Sequence, residues 1–124
     1  MKLTHQELTH LASAASRQQA VMLAQEIAQR FSAYYGVVPS TYLALGVREL
    51  MRFCEDANIW EPADIAVIIR AMFTPAPNCL SENDRNYAIR IISNTQAAPE
   101  ARARSVSQAL TGTAPPPRDP SGLR

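Results

Sequence analysis

His5 and His10, Cys54 and Cys79, and the carboxylate pairs Glu55/Asp56, Glu61/Asp64 and Glu82/Asp84 come nearest to chemistry in this 124-residue sequence. The two histidines are five apart, which turns them about 140° from each other on a helix. They cannot share a metal as the pair in H-E-x-x-H does, and they read as surface residues. The cysteines lack both a CxxC spacing and paired histidines, so they make no zinc pattern. Nucleophilic hydrolysis needs a base beside its nucleophile, and both histidines fall in an N-terminal segment expected to be mobile. The carboxylate pairs could do acid–base work, but each also reads as surface charge or as charge at a helix start. No GxSxG, Walker or GxGxxG motif occurs, and four scattered glycines do not build a phosphate loop. The expectation is therefore a chain with no catalytic residue, no metal site and no cofactor.

Residues suited to gripping another protein stand out more. Trp60, preceded by Ile59, lies at a helix entrance, where it is either an exposed aromatic anchor or a hydrophobic staple folded back on its own helix. Arg70 interrupts an apolar run. It is either a solvent gap whose stem lies along apolar neighbours or a planar fork for a carboxylate. Arg52 and Tyr42 complete the candidate partner-binding set. Arg102 and Arg104 are interleaved with Glu100 and alanines and form no basic stripe. No helix has the Arg-, Asn- and Gln-rich face of a recognition helix, so nucleic acid is not an expected partner.

Composition agrees with a soluble globular chain of one domain: 47% apolar, 19% charged and a net charge of +1. That charge exerts no general pull on nucleic acid or anionic membrane. Lys2 is the only lysine, a bias that fits either a GC-rich genome or planar anion recognition. The N-terminus MKLTHQELTH has no apolar stretch of signal-peptide length. The apolar run Ile65 to Ile69 is far short of the roughly 20 residues of a membrane span. A cytoplasmic protein with free thiols is expected.

The elements that would position these residues are helices. Thr4-His5-Gln6-Glu7 matches a capping box, followed by Leu8, Leu11, Ala12 and Ala15 at helical spacing. Ser13 and Ser16 loosen this segment before a stronger helix near Arg17. There Ala20, Leu23, Ala24, Ile27, Phe31 and Tyr34 share one face, with Gln18, Gln25, Glu26, Gln29 and Arg30 opposite. Gly36 is expected to end it as a left-handed cap. Ser40 caps the next helix, about 41–57, which buries Leu43, Val47, Leu50, Cys54 and Ala57 with Met51 beside them. Gly46 within it suggests close approach of another helix. Pro62 and Asp64 suit the first turn of a third helix, and Ile65 to Phe73 cover nearly every angle around its axis before Pro75 and Pro77. Such a helix belongs at the centre of a bundle. Ser81 caps a fourth, with Ala88, Ile91 and Ile92 inward and Tyr87 and Ile89 alongside. Pro99 opens a last one, carrying the stem of Arg102 with Val106, Ala109 and Leu110 inward, and Gly112 closes it. The expected fold is all-α, a single compact bundle of about five helices over 1–112, and a disordered proline-rich tail over 113–124.

Taken in order, "LTHQELTHL", "RQQAVMLAQEIAQRF", "VRELMRFCEDANI", "EPADIAVIIRAMF", "NYAIRII" and "PEARARSVSQAL" resemble a group of small helical proteins encoded beside bacterial type VI secretion spike and effector-adaptor genes. Asn58-Ile59 stands where that group usually has Gly-Ile. Glu61 is three before Asp64 rather than two, and Pro75-Ala76-Pro77-Asn78 replaces Gly-Pro-Asp-Phe. The resemblance implies no catalytic residues. It implies a non-enzymatic protein-interaction module, an adaptor or chaperone whose partner is a secreted effector, toxin or spike component. An immunity protein for a cognate toxin is the nearest rival. A small carboxylate enzyme and a DNA-binding regulator are the remaining ones, and the oligomeric state is left open.

Overall fold

A computed structural model describes residues 5–74, 82–113 and 115, with side chains from Ser16 onward in the first helix and from Asn86 onward in the fifth. Among the described residues the chain is all-α, with six helices and no strand. They are α1 (His5–Arg30), α2 (Ser32–Tyr35), α3 (Ser40–Asp56), α4 (Pro62–Met72), α5 (Glu82–Ser93) and α6 (Pro99–Thr111). The helix added to the expected five is the single turn α2. No described helix is long and apolar enough to cross a membrane. Thr4 of the capping box, the side chains of His5 and His10, those of Leu8, Leu11, Ala12 and Ala15, Cys79, the Pro75/Pro77 stop, the Ser81 cap, the Glu82 and Asp84 carboxylates, and 114 and 116–124 of the tail lie outside the described residues.

The chain divides into two compact units, Met1–Phe53 and Cys54–Arg124, so the division falls in the last turns of α3. In the first unit α1 is one uninterrupted helix, and the serines at 13 and 16 do not divide it. Ala20, Leu23, Ala24 and Ile27 are buried at the expected 3-1-3 spacing. That stripe does not continue to Tyr34, which is exposed. Phe31 leaves the helical region at φ −121°, ψ 48°, and the break shifts the register of everything after it. Gly36 is also not the left-handed cap expected of it, since it is right-handed at φ −61°. What requires glycine there is proximity: a Cβ would run into the Ser32 carbonyl oxygen, which accepts the Gly36 N–H at 2.8 Å. In α3, Leu43, Val47 and Met51 are buried and Leu50 half-buried. Gly46 is exposed, so close helix approach does not explain it.

The second unit opens on the end of α3. Asn58 has φ 67°, the left-handed region, with N–H donation from Asn58 to the Glu55 carbonyl at 3.0 Å and from Ile59 to the Cys54 carbonyl at 2.8 Å. This is a Schellman motif with asparagine at the usual glycine position. Asparagine is among the few residues other than glycine that visit this region routinely. The motif aims Ile59 inward, where it is fully buried beside the buried Cys54 position it reaches back to.

Glu61 then enters α4 in extended conformation, with Pro62 in the first turn. Ile65, Ala66, Ile68, Ile69 and Ala71 are buried, and the helix is enclosed on all sides but a stripe through Ala63 and Arg70. β-branched residues cost about 0.5 kcal/mol each in helix propensity. Burying an isoleucine returns about 1.5–3 kcal/mol, so packing decides the conformation. α4 and α5 each pack on α6. Ala88 and Ile92 of α5 are buried, with Ile91 half-buried. In α6 the inward stripe is Arg102, Ala103, Val106 and Leu110, Ala103 taking the place expected of Ala109. Gly112 closes α6 in the left-handed conformation (φ 75°), donating its N–H to Gln108 at 3.0 Å.

Candidate partner-binding site

Arg102 holds the second unit's architecture, and it does so with its charged head as well as its stem. The residue is 2% exposed. Its Nη1 donates to the Ala57 carbonyl at 2.8 Å and to the Ile92 carbonyl at 2.5 Å, and its Nε donates to the Ala97 carbonyl at 3.0 Å. Ala57 lies just past the end of α3 and Ile92 in the last turn of α5, where helices leave carbonyls without internal donors. The N–H that would have served Ile92, that of Gln96, is instead taken by the Asn94 side chain at 3.2 Å. A cation among helix C-terminal carbonyls meets the negative end of two helix dipoles. That arrangement offsets the cost of burying a guanidinium, which is several kcal/mol for an unpaired ion. Its sequence signal was the register: position 102 falls on the apolar stripe of α6.

This anchoring fixes the corner from which Trp60 projects. Upstream, the Ala57 carbonyl is held by Arg102, the Asn58 cap fixes the turn, and Ile59 is sunk in the core. Downstream, Pro62 begins α4. Trp60 between them is 62% exposed, so most of its ring is available and it does not fold away as a staple. Arg70 is exposed in the last turn of α4, where a cation suits the helix C-terminus, and its carbonyl accepts the Thr74 hydroxyl at 2.9 Å. Tyr42 and Arg52 are exposed on α3 in the first unit, whereas Trp60 and Arg70 belong to the second. Within each unit the two residues lie ten positions apart, Tyr42 and Arg52 in the first and last parts of α3, and Trp60 and Arg70 before α4 and in its last turn.

A groove that sequence reasoning did not anticipate runs along α5 and α6. It has a volume of about 460 Å³ and is lined by Tyr87, Ile91, Arg104, Ser105, Gln108 and Ala109. Tyr87 is exposed at its edge, and Arg104 donates from Nε to the Pro115 carbonyl at 2.9 Å. The missed signal was the pairing of faces on two consecutive helices, which no single-helix pattern reveals.

Cys54 is fully buried, and its thiol is pushed up from 9.0 to about 12. Burial is the main cause and the Glu55 charge adds to it, while Arg102 opposes both. A thiol so placed is a packing residue rather than a nucleophile. Among the described residues no three His, Cys, Asp or Glu side chains are grouped to hold a metal ion. Compared with protein-family models, with curated proteins and with solved structures, the chain finds no match.

Proposed function

We propose that this chain is a non-enzymatic protein-contact module of the bacterial cytoplasm, an adaptor or chaperone that holds a type VI secretion effector or links it to the secreted spike. The single observation that carries the contact reading is Trp60. A large aromatic is exposed on a corner whose backbone is fixed on both sides, so little backbone entropy is lost when a partner covers it. Tryptophan is among the residues enriched at interface hot spots. The sequence resemblance supports the class of partner.

The test is co-purification of the tagged full chain from cells with an active type VI system, the wild type beside Trp60→Ala. An effector or spike component should be retained by the wild type and weakened on the order of 30-fold by Trp60→Ala, the scale of a hot-spot residue. The melting temperature should be unchanged, because the ring is mostly outside the core. Equal retention by both proteins would end this reading. Deleting the gene separates the roles: a silenced effector fits an adaptor, whereas self-killing by the producer fits an immunity protein.

A further inference from the structure

The groove along α5 and α6 has the chain's own C-terminal segment at its rim. Gly112 turns the chain back on itself through its left-handed backbone (φ 75°). From there the carbonyls of Gly112, Thr113 and Pro115 accept in turn from Gln108 Nε2 at 3.1 Å, Ser107 Oγ at 2.7 Å and Arg104 Nε at 2.9 Å. The donors step down α6 as the acceptors step up the chain, so 112–115 runs back along the helix it has just left. Gln108 and Arg104 belong both to this run and to the lining of the groove. Pro115, at the end of the run, is half-buried.

The carbonyl that Arg104 holds is bonded to the ring nitrogen of Pro116, so Pro116 starts at the α6 wall of the groove. Packed helix axes lie about 8–10 Å apart. A polyproline II segment advances about 3.1 Å per residue, so Pro116 and Pro117 cover about 6 Å, enough to reach Tyr87 and Ile91 on the α5 wall. The chemistry of the two sides matches. Prolines have no N–H and offer only carbonyl acceptors. Four of the six lining residues, Tyr87, Arg104, Ser105 and Gln108, carry donors, and none of the six is acidic. Tyr87, 56% exposed, adds an aromatic ring of the kind on which proline-rich segments pack. Prolines have φ already fixed and lose little freedom on docking. A tether of a few residues also holds them near the groove at about millimolar effective concentration.

We propose that residues 115–117 form a strap that crosses this groove and closes it, with Pro115 pinned by Arg104 and with Pro116 and Pro117 packed on Tyr87 and Ile91 of the same molecule. The strap does not depend on the proposed role in secretion. NMR of the isotope-labelled full chain tests it. Cross-peaks should join the Tyr87 ring protons to the δ protons of Pro116 and Pro117, and the heteronuclear NOE of the Arg118 amide should approach that of α6. Tyr87→Ala, at an exposed position, should abolish the ordering of Arg118. Replacing Pro116 and Pro117 together by glycine should do the same while the α6 resonances stay in place, since that change is confined to the strap and frees its backbone. An Arg118 amide as mobile in the wild type as in both variants overturns the proposal. So does an ordered Arg118 that is indifferent to the glycine pair. Cross-peaks found only between differently labelled copies would also overturn it, because the groove would then hold the strap of a second molecule.

Discussion

A single buried guanidinium joins the end of α3, the end of α5 and the approach to α6, so Arg102 concentrates at one residue much of what holds the second unit. Removing it strands helix-end carbonyls out of reach of water. Arg102→Ala should therefore destabilise the protein by about 3 kcal/mol or more, given roughly 1–3 kcal/mol per buried acceptor left unpaired. Arg102→Lys keeps the charge but loses the planar fork, and should recover only part of that loss. Chemical denaturation of the three proteins measures both. If Arg102→Ala unfolds at the wild-type midpoint, the carbonyls have another donor and Arg102 is not the tie. The sequence placed Arg102 inward by its stem, because helical spacing reports direction. It could not report that the head also stays inside, because the three acceptors come from positions 57, 92 and 97.

At the scale of elements, the end of α3 is the most informative cap. Asn58 holds the positive φ that glycine usually supplies at such a cap, and asparagine is the commonest substitute there. Asn58→Gly should leave stability equal or raise it by up to about 1 kcal/mol, and Asn58→Ala should cost about 1 kcal/mol, since alanine has no side-chain oxygen to ease the left-handed conformation. Urea midpoints at constant m-value provide the measurement. A harmless Asn58→Ala would mean the Schellman turn does not constrain the chain. Prolines at 62 and 99 and glycine at 112 were readable as helix boundaries because each acts through its own backbone. Gly36 was misread for the opposite reason: the constraint on it comes from the Ser32 carbonyl, set by a break at Phe31 that carries no breaker residue.

For the whole molecule, Cys54 links folding to alkaline pH. Its thiol titrates near 9.0 when unfolded and near 12 when folded, so between these values the folded chain binds more protons than the unfolded one. Stability is therefore fully present below about pH 9 and falls as pH rises towards 12. A Cys54→Ala variant should lose this alkaline slope relative to the wild type in pH-dependent melts. Parallel curves for the two proteins would show that burial of the thiol does not govern the slope.

Local order was settled by the sequence alone. Apolar spacing fixed the helical character and most inward faces, from Ala20–Ile27 through Ile65–Ala71 to Val106 and Leu110, because a helix repeats its geometry every few residues. Tertiary structure decided what depends on residues distant in the chain. It put the head of Arg102 inside, left Trp60 outside, opened a groove along α5 and α6, and turned Tyr34 and Val37 towards solvent. Exposure is a property of what packs opposite a side chain, and no periodicity within one helix carries that information.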